Sequence, residues 1–298
     1  MLEPPLSVVV IGRNEGSRLV RCLDSVRKLS YTGPVELIYV DSSSTDASSA
    51  HAAEMGAKVV EIKGEKLSAA RARNAGWRIA SSPFILFLDG DTILHPAFVT
   101  TALTEFQDPK VMVVWGNRRE IHPEASIYNR VLDLNWIYPP GLTEFCGGDA
   151  LMRRSALEQA GGFNPHLIAG EEPDLCRRIR ARGGLIMHID APMTGHDFGM
   201  VNWRQYCKHS FRAGHAYAEI AALYKDTGDP LWSGAARANI LKGGIFLLSP
   251  AVAILAALLF HSWIFIALPL LILVLLIART AHKAQGKSSS WGTLILFG

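Results

Sequence analysis

The sequence predicts an α/β protein: a doubly wound, mostly parallel sheet followed by a membrane-inserted helical hairpin. Three observations predict it. Short, continuous apolar runs rich in β-branched residues alternate with helix-period segments between Leu6 and Leu88, the pattern of buried parallel strands joined by crossover helices. Aspartates close several of those runs: Asp41, Asp89 and Asp91. From Gly243 to Ala278 there is no Asp, Glu, Lys or Arg.

The elements follow in order. Leu6–Ile11 (LSVVVI) reads as a buried strand, broken by Asn14-Glu15-Gly16. Leu19, Cys22, Leu23, Val26 and Leu29 then recur at helical spacing. Val35–Val40 is a second strand, and Asp41-Ser42-Ser43-Ser44-Thr45-Asp46 is a loop of helix-capping residues leading into a helix over 47–55. A third short strand covers 59–62, a helix covers 68–80, and Phe84–Leu88 (FILFL) is a fourth strand. Leu185–Ile189 reads as a later strand, with His196 after it. In such sheets ligands sit beyond the carboxyl ends of the strands, where Asp41, Asp89 and Asp91 fall.

The uncharged stretch 243–278 would be about 54 Å long as one helix, against a hydrocarbon core of about 30 Å. His261-Ser262-Trp263 is the natural break. Two helices result, near 243–260 and 263–278, each slightly short for a full span. Lys242 on one side and Arg279, His282, Lys283 and Lys287 on the other fit a hairpin that returns to the cytosol. Crossing and re-entrant insertion are not separated at this stage. The expected division is a cytosolic domain over 1–230 and a membrane region over 240–298. The segment 201–224, with Trp203, Arg204, Tyr206, Lys208, Phe211 and Arg212, mixes aromatic and basic residues. It reads as an interfacial helix or as an ordinary amphipathic helix closing the domain.

Composition narrows the classes. Of 298 residues, 49% are hydrophobic and 19% charged, which excludes a disordered chain. Thirty basic against 27 acidic residues give a net charge of +3, too weak a bias to point to nucleic acid. The four cysteines form no CxxC pair, so neither a zinc site nor a disulfide framework is indicated. Met1-Leu2-Glu3-Pro4-Pro5 has no basic n-region, and the start of the chain is expected to stay in the cytosol.

Asp89-Gly90-Asp91 follows a buried strand. Divalent ions take hard oxygen ligands, and a glycine lets a diphosphate approach the backbone. The same residues could merely cap a helix. Gly170-Glu171-Glu172-Pro173-Asp174 places three carboxylates at an expected first helical turn, with Pro173 at its first position. Helix-start chemistry accounts for Asp174 but less well for the two glutamates, one of which could serve as a general base for a hydroxyl acceptor.

Taken together, SVVVIGRNE, VDSSSTD, ARARNAG, FLDGD, GGDALMRRSALEQAGGF and GEEPDLCRRIR resemble the family 2 glycosyltransferases of the A-type fold over about residues 6–215. That resemblance implies transfer of a sugar, with inversion, from a nucleotide-diphosphate donor, using Mg²⁺ or Mn²⁺. It implies that Asn14, Glu15, Asp41, Arg71, Arg73 and Asp89 bind the donor and that Asp91, Asp89 and His196 hold the metal. Gly148 and Asp149 would lie on the acceptor side; separately from the resemblance, Arg212 on the 201–224 segment is a candidate phosphate contact. Glu172 stands where the family usually has a catalytic aspartate, so Glu172 or Glu171 is the expected base. The Q-x-x-R-W signature of processive synthases is absent, which points to one sugar per encounter. The expected partners are a nucleotide-sugar, a lipid-linked acceptor and the bilayer, with the catalytic domain on the cytosolic face of the cytoplasmic membrane. A nucleotidyltransferase on the same type of sheet and an inactive membrane scaffold are the alternative readings.

Overall fold

A computed structural model describes residues 3–64, 66–288 and 290–297. Met1 and Leu2 of the N-terminal run, Ser289, and Gly298 at the end of the membrane region lie outside the described residues. The chain forms two compact units, Met1–His122 with Trp136–Gly199, and Pro123–Asn135 with Met200–Gly298.

The first unit begins β1 (Leu6–Gly12), α1 (Ser17–Arg27), β2 (Val35–Asp41), α2 (Ser48–Glu54), β3 (Lys58–Glu61), α3 (Ala69–Ile79) and β4 (Phe84–Asp89). β1 is buried on both faces: Val8, Val9 and Val10 are all 0% exposed, each contributing about 1.5–3 kcal/mol of burial. Its parallel partners are β2 and β4. Gly12 therefore stands opposite Asp41, and Ile11 opposite Asp89, so the two aspartates share the carboxyl edge with one strand between them. α3 lies close on this sheet because Gly76 has no side chain. A Cβ there would sit 2.3 Å from Val9 Cγ1 and 3.1 Å from Val40 Cγ2.

Beyond β4 the sheet is mixed. β5 (Thr92–Leu94), α4 (Phe98–Glu105) and β6 (Val111–Glu120) follow. After α5 (Ile127–Leu134), which belongs to the second unit, come β7 (Gly141–Leu142), β8 (Ala150–Arg153), α6 (Arg154–Ala160), α7 (Glu171–Arg180) and β9 (Leu185–His196). The strand order is β3-β2-β1-β4-β8-β6-β9-β5, with β7 on β9. β8 runs antiparallel to β4 and β6, β6 and β9 are parallel, and β5 and β7 are antiparallel to β9. The parallel half is thus the part whose apolar runs are continuous. The other half is irregular, with register shifts between β6 and β9 near Trp115 and Asn117.

Two local expectations are corrected. His196 does not follow its strand but ends it, because β9 continues through Pro192 to His196 by pairing with β6 and β5. Pro173 is not the first residue of its helix. Gly170, at φ 85°, is the cap, and α7 starts at Glu171, so both glutamates lie inside the first turn. Pro173 is tolerated there because the first four helical N–H groups have no intrahelical partner.

In the second unit, α8 (Trp203–Tyr224) starts with a capping box between Asn202 and Gln205. α9 (Ser233–Phe260) and α10 (Ile264–Lys283) follow. Both helices exceed their expected lengths, since the Ala-, Leu-, Arg- and Lys-containing flanks are themselves good helix formers. At 28 and 20 residues, with mean hydropathies of 2.3 and 2.6 over their apolar stretches, neither is short for a span of about 20 residues. His261, at φ 51°, closes α9. α11 (Trp291–Phe297) packs on α5, where Arg130 Nε donates to Thr293 Oγ1 at 3.3 Å and Lys287 Nζ to the Leu134 carbonyl at 3.1 Å.

Candidate active site

The site gathers at the carboxyl edge of β1, β2 and β4 and at the end of β9. Asn14, at φ 57°, closes the β1–α1 turn onto the β2–α2 loop. Its N–H donates to Ser44 Oγ at 2.9 Å, and its side-chain oxygen accepts from the Thr45 N–H at 2.7 Å. Asp41 is 2% exposed and accepts from the Tyr39 hydroxyl at 2.9 Å and the Ser44 N–H at 2.7 Å. Glu15 lies over Gly12 and Gly90, where a Cβ would come within 2.9 and 3.0 Å of its Cγ. It pairs with Arg18 at 2.7 Å. Burial raises its pKa despite that partner.

Arg73 is the hub. Its side chain is 2% exposed and meets three carboxylates: Asp89 at 2.9 Å, Glu171 at 2.8 Å and Glu172 at 2.9 Å. α3 can aim it there because the same helix is fixed two ways. Gly76 allows the close approach to β1. Asn74 donates to the Phe163 carbonyl at 2.7 Å and accepts from the Phe163 N–H at 2.9 Å, tying α3 to the loop that leads to α7. Glu171 is 5% exposed and Glu172 15%, so Glu172 is the more open of the two. Burial and the neighbouring Glu171 charge push Glu172 up to about 7, against the pull of Arg73. Gly148 faces this cluster: a Cβ would lie 2.7 Å from both Arg73 Nη2 and Asp89 Oδ2, so only a glycine leaves the carboxylates room.

Asp91 turns back through β5. Thr92 pairs with His196 across β5 and β9, and the Asp197 N–H donates to the Asp91 carbonyl at 2.9 Å. This brings His196 Nε2 within 3.4 Å of Asp91 Oδ1. Asp89, Asp91 and His196 offer three donor atoms within 4.8 Å of one another. Two hard carboxylate oxygens and one imidazole form a donor set that fits a divalent cation. Burial, Asp89 and Glu15 raise Asp91 to about 8, while for Asp89 burial is outweighed by Arg73, Arg118 and His196 and the pKa is lowered.

The other expected residues are placed differently. Asp149 is 0% exposed and spends its oxygens internally. One accepts from the Asp89 N–H at 3.0 Å; the other accepts from Thr194 Oγ1 at 2.7 Å and faces Arg118 Nε at 3.3 Å. It braces β4, β6 and β9 from beneath. Arg71 is exposed, and its Nε donates to the Pro165 carbonyl at 3.3 Å, outside the Arg73 cluster. Arg212 is exposed on α8, in the second unit.

Sequence reasoning missed three residues here. Arg18 Nη1 stands 4.0 Å from Asp91 Oδ2. Arg118 lies behind Gly147 and 4.8 Å from the Trp136 ring centre. Trp136 stacks on Phe198 at 4.7 Å and packs against His196 at 5.0 Å. The available signal was a pair of arginines, Arg118-Arg119, closing an otherwise apolar run.

The sequence model of "Glycosyl transferase family 2" matches residues 7–161, just over half of the chain. The chain belongs to glycosyl transferase family 2. Among curated relatives, the pre-mycofactocin glycosyltransferase of Mycobacterium tuberculosis is 27% identical over 240 residues, covering 76% of this chain and 49% of the relative. An N-acetylglucosaminyltransferase of Azorhizobium caulinodans is 28% identical over 174 residues, covering 52% and 44%. The chain thus spans about half the length of the curated relatives it matches. Among solved structures, the mannosyltransferase PcManGT of Pyrobaculum calidifontis, in complex with GDP-Man and Mn²⁺, has a TM-score of 0.66 at 20% identity. It covers 99% of this chain and 88% of its own. S. aureus TarS 1-349 in complex with UDP-GlcNAc has a TM-score of 0.54 at 16% identity, covering 72% and 66%. This family 2 chain therefore carries a glycosyltransferase domain on a fold shared with both.

Proposed function

We propose that the chain is an inverting, metal-dependent glycosyltransferase. It moves one sugar from a nucleotide-diphosphate sugar to a lipid-linked acceptor, on the cytosolic face of the cytoplasmic membrane, in cell-envelope glycan or glycolipid synthesis. The observation that carries this reading is the position of Glu172: a largely buried carboxylate, 15% exposed and pushed up to about 7, beside Arg73 and Asp89 at the start of a helix. The GDP-Man and Mn²⁺ of PcManGT and the UDP-GlcNAc of TarS support a nucleotide-sugar donor. Two membrane-length helices in the same chain support an acceptor that resides in the bilayer.

In this reading Asn14, Glu15 and Asp41 shape the nucleotide pocket at the edge of β1 and β2. Mg²⁺ or Mn²⁺ held by Asp89, Asp91 and His196 would supply positive charge against the departing diphosphate. Arg18 adds its own charge beside Asp91. The acceptor hydroxyl attacks the anomeric carbon from the face opposite the diphosphate. The new C–O bond forms as the sugar–phosphate bond breaks, and the hydroxyl proton passes to Glu172. Arg73 holds Glu172 and Asp89 on one guanidinium, which fixes the distance between base and donor. Glu171, more buried, serves to orient Arg73.

Glu172→Gln tests the assignment. General-base help is worth about 10²–10⁴-fold, so kcat should fall by that order while donor affinity stays within a few-fold. Glu171→Gln should cost less. Full turnover in Glu172→Gln would remove Glu172 from the mechanism.

A further inference from the structure

α9 and α10 do not close against each other along their length. A groove of about 810 Å³ runs between them, walled by Ile245, Phe246, Ile254, Ile266, Leu273 and Ile277, a volume at the upper end of ligand sites. Pro250 and Pro269, one in each helix, also border it. Each removes one backbone donor from its helix. The walls are mostly branched and aromatic, with the small residues Gly243, Ser249 and Ala253 between them. Close helix–helix contacts in membranes use small residues that let backbones approach. A flexible hydrocarbon chain follows such uneven apolar walls, and the charge at one end of the groove favours a lipid over a second copy of this chain.

One end of the groove is chemically distinct. Lys242 and Thr280 border it there, at the end of the hairpin away from the His261 turn. Arg237 precedes Lys242 by just over one helical turn, and Arg279, His282 and Lys283 lie at the same end of α10. No Asp or Glu follows Asp229 in the sequence. The mouth is thus cationic, with no acidic side chain on either helix to compensate it, and the walls behind it carry no charge.

We propose that this groove is a binding site for a phosphate-headed lipid, with its hydrocarbon chain between α9 and α10 and its phosphate on Lys242. The occupant is a lipid phosphate rather than free phosphate, because the uncharged walls make up most of the site. Nothing in this proposal requires donor, metal or Glu172, so it stands or falls separately from the transfer reaction.

The test uses the full chain in nanodiscs of phosphatidylcholine, doped with phosphatidic acid or phosphatidylcholine bearing the same diazirine-labelled tail. After irradiation, adducts are mapped by peptide mass spectrometry. The expected adducts fall on Ile254 and Leu273, and phosphatidic acid labels them about fivefold more than phosphatidylcholine, the factor matching one basic side chain near the surface. Lys242→Gln should bring that ratio close to one while labelling persists. Ala253→Trp, which fills the groove, should remove the Leu273 adducts. If that variant does not fold, the Lys242→Gln ratio decides alone. Adducts spread equally onto Leu255 and Leu258, outside the groove, would overturn the proposal. So would equal labelling by the two lipids, or cross-links between copies at Ile254.

Discussion

Replacing Arg73 by methionine should do two separable things. The guanidinium is buried and pairs with Asp89, Glu171 and Glu172 at 2.8–2.9 Å. A charge pair about 4 Å apart interacts by about 4 kcal/mol at an effective dielectric constant of 20. The three pairs do not add, because the carboxylates repel one another and Asp89 is 28% exposed. Breaking a buried pair costs about 3–5 kcal/mol. At about 2–4 °C per kcal/mol for a domain of this size, Tm should fall by about 6–20 °C. Glu172, already at about 7 with Arg73 present, should rise by a further one to three units once that cation is gone. A base works only when deprotonated, so activity is lost as pH falls through its pKa. The acid limb of kcat should therefore move upward, leaving about a tenth or less of the base ionised at neutral pH. Arg73→Lys should keep part of both properties. The assay is thermal unfolding together with kcat between pH 6 and pH 9 at saturating donor. If Arg73→Met loses under about 1 kcal/mol and keeps the wild-type acid limb, the three-carboxylate hub does not set the base.

Three further predictions concern the metal group, the packing of α3 and the hairpin. Asp91 carries a proton below about pH 8, which an incoming cation must displace. Mn²⁺ affinity should therefore weaken up to tenfold per unit as pH falls below 8, with proton release on binding, and calorimetry in two buffers at pH 6.5 and 8.5 checks this. Affinity independent of pH would refute it. Gly76→Ala should lose about 1–3 kcal/mol by overpacking against Val9 and Val40; chemical denaturation reads it, and an unchanged midpoint contradicts it. Lys242 and Lys283 should both face the cytosol, so efficient labelling from outside intact cells, at cysteines introduced after residue 283, would contradict the hairpin topology.

The parallel half of the sheet was legible because β1, β4 and the last part of β2, from Ile38 on, are buried and almost continuous in apolar residues. Their closing aspartates marked the ligand edge. β6 and β8 were not legible, since β6 ends in Asn117-Arg118-Arg119-Glu120 and pairs through shifted registers. That lost half hid Arg118, Trp136 and the bracing role of Asp149. The placing of His196 with Asp91 was implied by the family resemblance alone, while its cause, the pairing of β5 with β9, is a long-range event that no local pattern carries. The choice between Glu171 and Glu172 was likewise closed to sequence. Both side chains reach Arg73, at 2.8 and 2.9 Å, and they differ only in exposure, 5% against 15%, which no local pattern carries.

The central claim is sugar transfer from a nucleotide-diphosphate donor, and product analysis tests it most directly. The full chain, in detergent with Mn²⁺ and candidate donors, should release nucleoside diphosphate and free or transferred sugar. Asp91→Asn should abolish that release, and Glu172→Gln should reduce it without loss of donor binding. Release of pyrophosphate, or no turnover of any nucleotide-sugar by a folded protein that binds Mn²⁺, would contradict the account.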